Sequence, residues 1–116
     1  MVEFTLILPV LLVVLFGIIQ FGIAFNNYVA LTDSVRAGAR FAAVDRLAAD
    51  PVGDTVTKVK NASGDLDPTQ VVPTVTSTWI HGADVVVTAK YPYSINLLGF
   101  VVASGWLTST TTERVE

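Results

Sequence analysis

The chain has 116 residues, of which 52% are apolar and only 15% are charged, and it contains no cysteine. Soluble domains carry about 25% charged residues, so the composition is unusual for a small soluble domain, and it excludes a disordered chain, which would be polar and highly charged. Seven basic and ten acidic residues give a net charge of −3, which argues against nucleic-acid binding, and the lack of cysteine excludes disulfides and zinc–thiolate sites.

The first predicted element is a long apolar helix near the N-terminus. No charged residue occurs from Phe4 to Thr32, and residues 4–25 are almost wholly apolar. As a helix those 22 residues would be about 33 Å long, which matches a bilayer core of about 30 Å. A buried core helix is the alternative, but the rest of the chain is too small and too polar to surround a helix that is apolar on every side. We therefore predict a transmembrane or filament-core helix over residues 1–27.

The same helix is predicted to continue as an amphipathic half over residues 28–50. An apolar stripe recurs at three- and four-residue steps and comprises Tyr28, Leu31, Val35, Ala39 and Ala42. Charged residues lie on the opposite side. We predict one helix from about residue 3 to about residue 49, stopped by Asp50-Pro51 and Gly53, because the residue before a proline is pushed out of the helical region.

Residues 51–116 are predicted to form a small antiparallel β head. Threonine and valine dominate, and the hydrophobic period falls to two. Strands are predicted at residues 74–79, 83–91 and 107–115, with a turn at His81-Gly82 between the first two.

Two further segments of the head have a less regular pattern. Residues 55–60 fit either a fourth strand or the tail of a broken helix, and residues 94–105 are read as an apolar connection that covers the sheet or contacts a neighbour. A sheet of this size needs one face buried, and the amphipathic half-helix is the natural cover. The predicted fold class is α+β, a long N-terminal helix whose distal half packs on an antiparallel sheet of three or four strands.

Four segments match a recurring pattern, in the same order along the chain. The first segment, Met1–Leu12, contains V-E-F, a small residue and an apolar run that reaches L-P at Pro9. The second segment, Leu15–Gly22, reads L-F-G-I-I-Q-F-G. Val35–Ala43 reads V-R-A-G-A-R-F-A-A, and Thr112–Glu116 closes as T-E-R-V-E. Together these segments resemble the TadE-like pilin family, strongly over residues 2–43 and at the C-terminus.

The resemblance implies a type IV-related pilin or pseudopilin of a Tad-type system. Such subunits are cut by a prepilin peptidase, reside in the inner (cytoplasmic) membrane, and are assembled by membrane machinery into an extracellular helical filament. The implied partners are copies of the same chain, the peptidase, the assembly machinery and the membrane, with no nucleic acid and no cofactor. Family precursors carry a short basic leader, whereas the first basic residue here is Arg36, so we expect the sequence to be a mature form.

Glu3 is the carboxylate at the start of the apolar helix. At a membrane interface it is tolerated, but in a filament core it becomes buried, and a buried lone charge costs several kcal/mol unless it is paired. The nearby cation that every subunit supplies is the N-terminal amine of its neighbour. We therefore predict an inter-subunit contact from Glu3 to the amine of Met1, with an ordinary helix cap at the positive end of the helix dipole as the alternative.

Other residues of this helix are predicted to serve assembly through packing. Pro9 predicts a kink near residues 5–9. Gly17 and Gly22 favour close helix packing, with local melting and an extensible fibre as the alternative. Aromatic residues are predicted to pack in the filament core rather than to conduct electrons, and they are Phe4, Phe16, Phe21 and Phe25.

Asp33, Arg36 and Arg40 are the candidate ion-pairing residues on the charged face. An Asp33–Arg36 pair at three-residue spacing is worth about 0.2–0.5 kcal/mol. The arginines are also placed to bridge to Asp45 or Asp50 of a neighbouring subunit. A solvated helix face is the equally weighted alternative.

The remaining patterns are weak. Asn61-Ala62-Ser63 matches a glycosylation acceptor, and Asp65 and Asp67 beside Asn61 offer oxygen ligands to calcium, although a turn is favoured there. No catalytic or metal-binding constellation is present in the sequence, so an enzyme is the least favoured class. The alternatives to a filament subunit are a minor pseudopilin that primes or caps another filament, and a single-span anchored surface protein.

Overall fold

The computed structural model describes residues 1–64, 66–97 and 100–116, with side chains for all of these except 96, 97 and 101–103. The elements are α1 (Val2–Ala43), α2 (Pro51–Asn61), β1 (Val72–Thr76), β2 (Asp84–Leu97) and β3 (Phe100–Arg114). The three strands form one antiparallel sheet in the order β1-β2-β3. The predicted α+β fold, a long N-terminal helix with a small antiparallel sheet, is confirmed.

Helix α1 is continuous over 42 residues, which corresponds to about 63 Å. It passes through Pro9 without interruption and ends at Ala43, about six residues before the predicted end. The predicted end was wrong because Ala43 is the last buried position of the helix, whereas Val44 and Leu47 are 66% and 85% exposed.

Helix α2 corrects two sequence predictions. Asp50-Pro51, predicted to stop a helix, begins one, because the Asp50 carboxylate accepts a hydrogen bond from the Gly53 N–H at 3.0 Å. Proline suits the first turn of a helix, where its missing N–H leaves no bond unmade. Residues 55–60 are helical, so the strand alternative is wrong, and the helical alternative is correct except that these residues belong to a separate, capped helix. Thr55 and Val59 of this helix face the core. The head therefore begins with a helix rather than with a strand.

The predicted hairpin between the first two strands is confirmed, with a correction to its first strand. β1 pairs with β2 from Val72↔Lys90 to Thr76↔Val86, so it ends before Trp79. Trp79 has a φ of 56°, a left-handed conformation that a strand cannot accommodate. Gly82 supplies the turn with a φ of 85°, and its N–H donates to the Val115 carbonyl at 2.8 Å.

The β2–β3 hairpin is longer than the sequence predicted. The described part of residues 94–105 is not a connection but belongs to the two strands, paired out to Leu97↔Phe100 with an irregularity at Ile95/Asn96. The segment is apolar on consecutive residues, so it lacks the alternation that marks a half-buried strand. We call the distal part of this hairpin, residues 91–97 and 100–107, the β2–β3 arm.

The core lies where the distal half of α1 meets α2 and the sheet. Four residues of the predicted stripe are fully buried, namely Leu31, Val35, Ala39 and Ala42. The fifth, Tyr28, is 42% exposed, because it lies where the helix leaves the head. The chain end closes the core, since the Glu116 N–H donates to the Ala43 carbonyl at 2.9 Å.

Candidate assembly surface

The first half of α1 stands clear of the head with its apolar side chains exposed. The 18-residue stretch that makes α1 long and apolar enough to cross a membrane, by length and composition, has none of its residues buried in the chain. Exposure is 67% for Phe4, 66% for Phe21 and 61% for Phe25, and 38% for Phe16. All four predicted aromatic residues therefore lie on a surface that the subunit itself does not cover.

Glu3 and Met1 lie at the free tip of this helix. Met1 is the N-cap without a side-chain capping bond, and Glu3 lies in the first turn. Both the Thr5 N–H, at 3.1 Å, and the Thr5 hydroxyl, at 3.0 Å, donate to the Met1 carbonyl. Glu3 is solvent-exposed within the single subunit, so its contact with a neighbour stays a prediction.

Gly17, Gly22 and Pro9 are helical in this subunit. A Cβ added at Gly22 would have no atom within 4 Å, so nothing in the same chain requires glycine there. Close packing at Gly22 would therefore have to arise between subunits, and the packing or melting predicted for Gly17 and Gly22 stays a prediction.

An apolar groove opens where α1 leaves the head. One wall is the helix, and the other is the β2–β3 arm with the next residue of β3, Thr108. The volume between the two walls is about 410 Å³. The helix contributes Phe21, Ala24, Phe25 and Tyr28, and the strands contribute Tyr93, Ile95, Trp106, Leu107 and Thr108. Sequence reasoning missed this groove because it placed Tyr28 in the core and treated the arm as a connection.

The predicted ion-pairing residues lie on the exposed side of α1. Asp33, Arg36 and Arg40 are all exposed, and Asp33 and Arg36 line a second groove of about 220 Å³ beside Phe25 and Tyr28. Their ion pairs, within or between subunits, stay predictions.

The two acidic residues predicted to receive these arginines have contacts inside the subunit. Asp50 caps α2, and Asp45 faces Asp54 across the junction between α1 and α2. The pKa of Asp45 is raised, first by burial and then by the charge and hydrogen bonding of Asp54. Its Oδ2 atom is buried without a hydrogen-bond partner among the described residues. A contact of either carboxylate with an arginine of a second subunit stays a prediction.

Residues of the predicted glycosylation triplet and of the possible calcium site make local hydrogen bonds within the head. Ser63 of the glycosylation triplet is buried, and its hydroxyl donates to the Lys60 carbonyl at 2.6 Å. Asp67 accepts from the Thr69 N–H and hydroxyl, which lower its pKa; Asp65 lies outside the described residues. Within the described residues, no group of three or more acidic or histidine side chains is placed to hold a metal ion.

Comparison with known proteins gives one match. The family model described as TadE-like protein matches residues 1–40, which comprise the exposed half of α1 and most of its packed half. No curated protein and no solved structure matches the chain significantly.

The family match confirms, over this N-terminal segment, the resemblance drawn from the sequence motifs. It supports a Tad pilus-related protein with an N-terminal apolar helix. The helix itself is compatible with membrane anchoring.

Proposed function

We propose that the protein is the structural subunit of an extracellular Tad-type pilus filament, held in the inner membrane before assembly and joined to copies of itself through α1. The observation that carries this proposal is the unburied apolar half of α1, within a segment that matches the TadE-like family model. A helix that is apolar on every side must be covered by lipid or by other helices. The proposed role is structural and not enzymatic.

The arrangement of the subunit supports assembly into a fibre. The head has its own core, formed by the distal half of α1, α2 and the sheet, so it can keep its fold while the proximal half of α1 exchanges lipid for protein neighbours. Contacts between different surfaces of identical chains build a helical filament when the rotation between neighbours does not close into a ring. Prepilin peptidase and membrane assembly machinery are the proposed partners in that transfer.

Glu3 is the residue on which the transfer depends in this proposal. It is solvent-exposed at the tip of the helix in a single subunit and would be surrounded by apolar side chains in a fibre core. Pairing with the neighbour's Met1 amine would remove the cost of that burial. The same contact would fix how far one subunit is displaced along the next.

The test compares Glu3→Gln with Asp84→Asn, which removes an exposed carboxylate from the head. In cells carrying either variant, we expect membrane insertion to be normal, as judged by extraction into detergent but not into alkali. Filament in sheared surface material should be lost for Glu3→Gln and unchanged for Asp84→Asn. A normal filament yield from Glu3→Gln would contradict the role of Glu3, and fibres built from a different subunit would indicate a minor pseudopilin.

A further inference from the structure

The β2–β3 arm is an uncharged and largely apolar extension of the sheet. The run from Tyr91 to Thr112 contains 22 residues without one charge, flanked by Lys90 and Glu113. Phe100 is 76% exposed and Trp106 is 58% exposed. At its base the arm packs on the core through Tyr91 and Leu107, whereas Phe100 and Trp106 project from it with most of their surface uncovered.

The arm lies beside the outer end of the apolar helix. Ile95 and Trp106 line the same groove as Phe21 and Phe25. The part of the arm that lines the groove therefore lies beside the last turn of the segment predicted to span the membrane, from Phe21 to Phe25, a length of about 6 Å along the helix axis. The headgroup layer of one leaflet has a similar thickness, since a bilayer is about 40–45 Å thick with its headgroups and about 30 Å without them.

The composition at this level is that of a membrane interface. Tyr28, Tyr93 and Trp106 meet in the groove, and tyrosine and tryptophan are enriched where hydrocarbon meets water. Tyr93 is fixed by its position opposite Gly105, where an added Cβ would lie 3.2 Å from the Tyr93 ring. The nearest charges on the helix and the strands, Asp33 and Lys90, are exposed and lie on the head side of the groove.

We propose that the β2–β3 arm is a second membrane contact, which seats in the headgroup layer of the leaflet from which α1 emerges. The inference rests on the proposed membrane stage of the subunit but not on its assembly into a fibre. Contact is shallow, because the outer backbone edges of a two-stranded arm need hydrogen bonds that hydrocarbon does not provide. The side chains of Ile95, Phe100 and Trp106 enter the interface, and the backbone stays hydrated.

This contact would hold the head in a fixed orientation on the membrane. A single helix leaves a head free to rotate about the helix axis, whereas a second contact at Trp106 removes that rotation. Extraction of the subunit into a fibre would then have to release the arm as well as the helix.

The two native tryptophans provide the test. Trp79 is half-buried against the core of the head, and Trp106 is on the arm, so Trp79→Phe and Trp106→Phe each leave one reporter. The full chain is placed in phosphatidylcholine vesicles whose acyl chains carry bromine at a shallow or a deep position. We expect shallow bromines to quench Trp106 several-fold more strongly than deep ones, and Trp79 to be quenched by neither.

A matched pair of charge substitutions tests the arm itself. Phe100→Asp should reduce the quenching of Trp106, whereas Ile80→Asp, at a residue 65% exposed elsewhere in the head, should not. If Trp79→Phe does not fold, Phe100→Cys in the otherwise cysteine-free chain carries an environment-sensitive dye, and its emission should shift to the blue on vesicles.

The possible failures are distinguishable. An inserted chain whose Trp106 is unquenched would overturn the inference alone, and the proposed filament role would stand. Unquenched Trp106 that becomes water-exposed when the protein is diluted in lipid would instead show that a second copy covers the groove. A chain that does not enter vesicles would overturn the inference together with the membrane stage of the proposed function.

Discussion

Gly38 shows at the level of one residue why the R-A-G-A-R segment contains a glycine. A Cβ at this position would collide with the Val59 Cγ2 methyl and lie 3.8 Å from Thr55. The missing side chain therefore lets α2 approach α1 closely. Sequence comparison marked the motif, but the reason for its glycine became visible only with α2 in place.

We predict that Gly38→Ala destabilises the head. Overpacking costs about 1–3 kcal/mol, which outweighs a helix-propensity gain of at most about 1 kcal/mol. Gly22→Ala is the matched control in the same helix, since an added Cβ there meets nothing, and it should leave the unfolding midpoint unchanged or raise it slightly through helix propensity. Adding Val59→Ala to Gly38→Ala removes the colliding methyl and should recover part of the loss. Equal midpoints for the two glycine variants would show that the close approach at Gly38 is not limiting.

Asp45 carries the pH dependence that we expect at the junction of α1 and α2. Burial and the nearby Asp54 raise its pKa above 3.8 in the folded chain. The fold therefore favours the protonated carboxyl of Asp45. Its contribution to the free energy of unfolding is fully present below the pKa of the unfolded chain, and it is lost as the pH rises through the raised pKa of the folded chain.

Asp45→Asn should accordingly raise the thermal midpoint of the head at neutral pH and have little effect in acid. The measurement is thermal unfolding at pH values on both sides of the raised pKa, with Asp33→Asn on the exposed face as the control. A midpoint difference between wild type and Asp45→Asn that does not vary with pH would contradict the assignment.

Some helices and strands were predicted from the sequence, and others were not. The helix stripe and the first hairpin followed from periodicity, because a half-buried helix or strand leaves its own period in the sequence, whereas three or four strands were left open and the sheet has three. The end of α1, helix α2 and the β2–β3 arm did not follow from it. Asp50-Pro51 is compatible with either a stop or a start, and only the packing of Thr55 and Val59 against α1 decides between them.

The assembly surface was predicted in part for the same reason. An exposed apolar helix is evident from composition alone. The groove at Tyr28 and Trp106 depends on which strand lies beside which helical turn, and that information is not local in the sequence. The Glu3 contact and the bridges of Arg36 and Arg40 to a neighbouring subunit stay predictions, because they are predicted between chains and one subunit does not test them.

The start of α2 depends on its cap. Asp50→Ala should destabilise the head by about 1 kcal/mol, since it removes the acceptor for one free N–H of the first turn. Asp50→Ser keeps an acceptor and should restore most of that loss. Urea unfolding of the three chains measures the difference. No change for Asp50→Ala would show that Pro51 and the packing of α2 are sufficient without the cap.

At the scale of the whole molecule, the chain consists of a self-contained head and an apolar rod that the head does not cover. The molecule extends over 71 × 22 × 19 Å, and the long dimension is essentially that of α1. Lipid can cover the rod in the membrane, and identical rods can cover one another in a fibre. In the proposed function the subunit is transferred from the membrane to the fibre. The arm lies at the outer end of the rod, and Glu3 lies at its inner end.

Helical reconstruction by electron cryo-microscopy of filaments sheared from cells that express this chain is the measurement that tests the central claim most directly. We predict a fibre built from this chain, with residues 4–25 of α1 in its core, the heads outside, and each Glu3 carboxylate in contact with the Met1 amine of a neighbour. A fibre built from another subunit, or a core that excludes α1, would contradict the account.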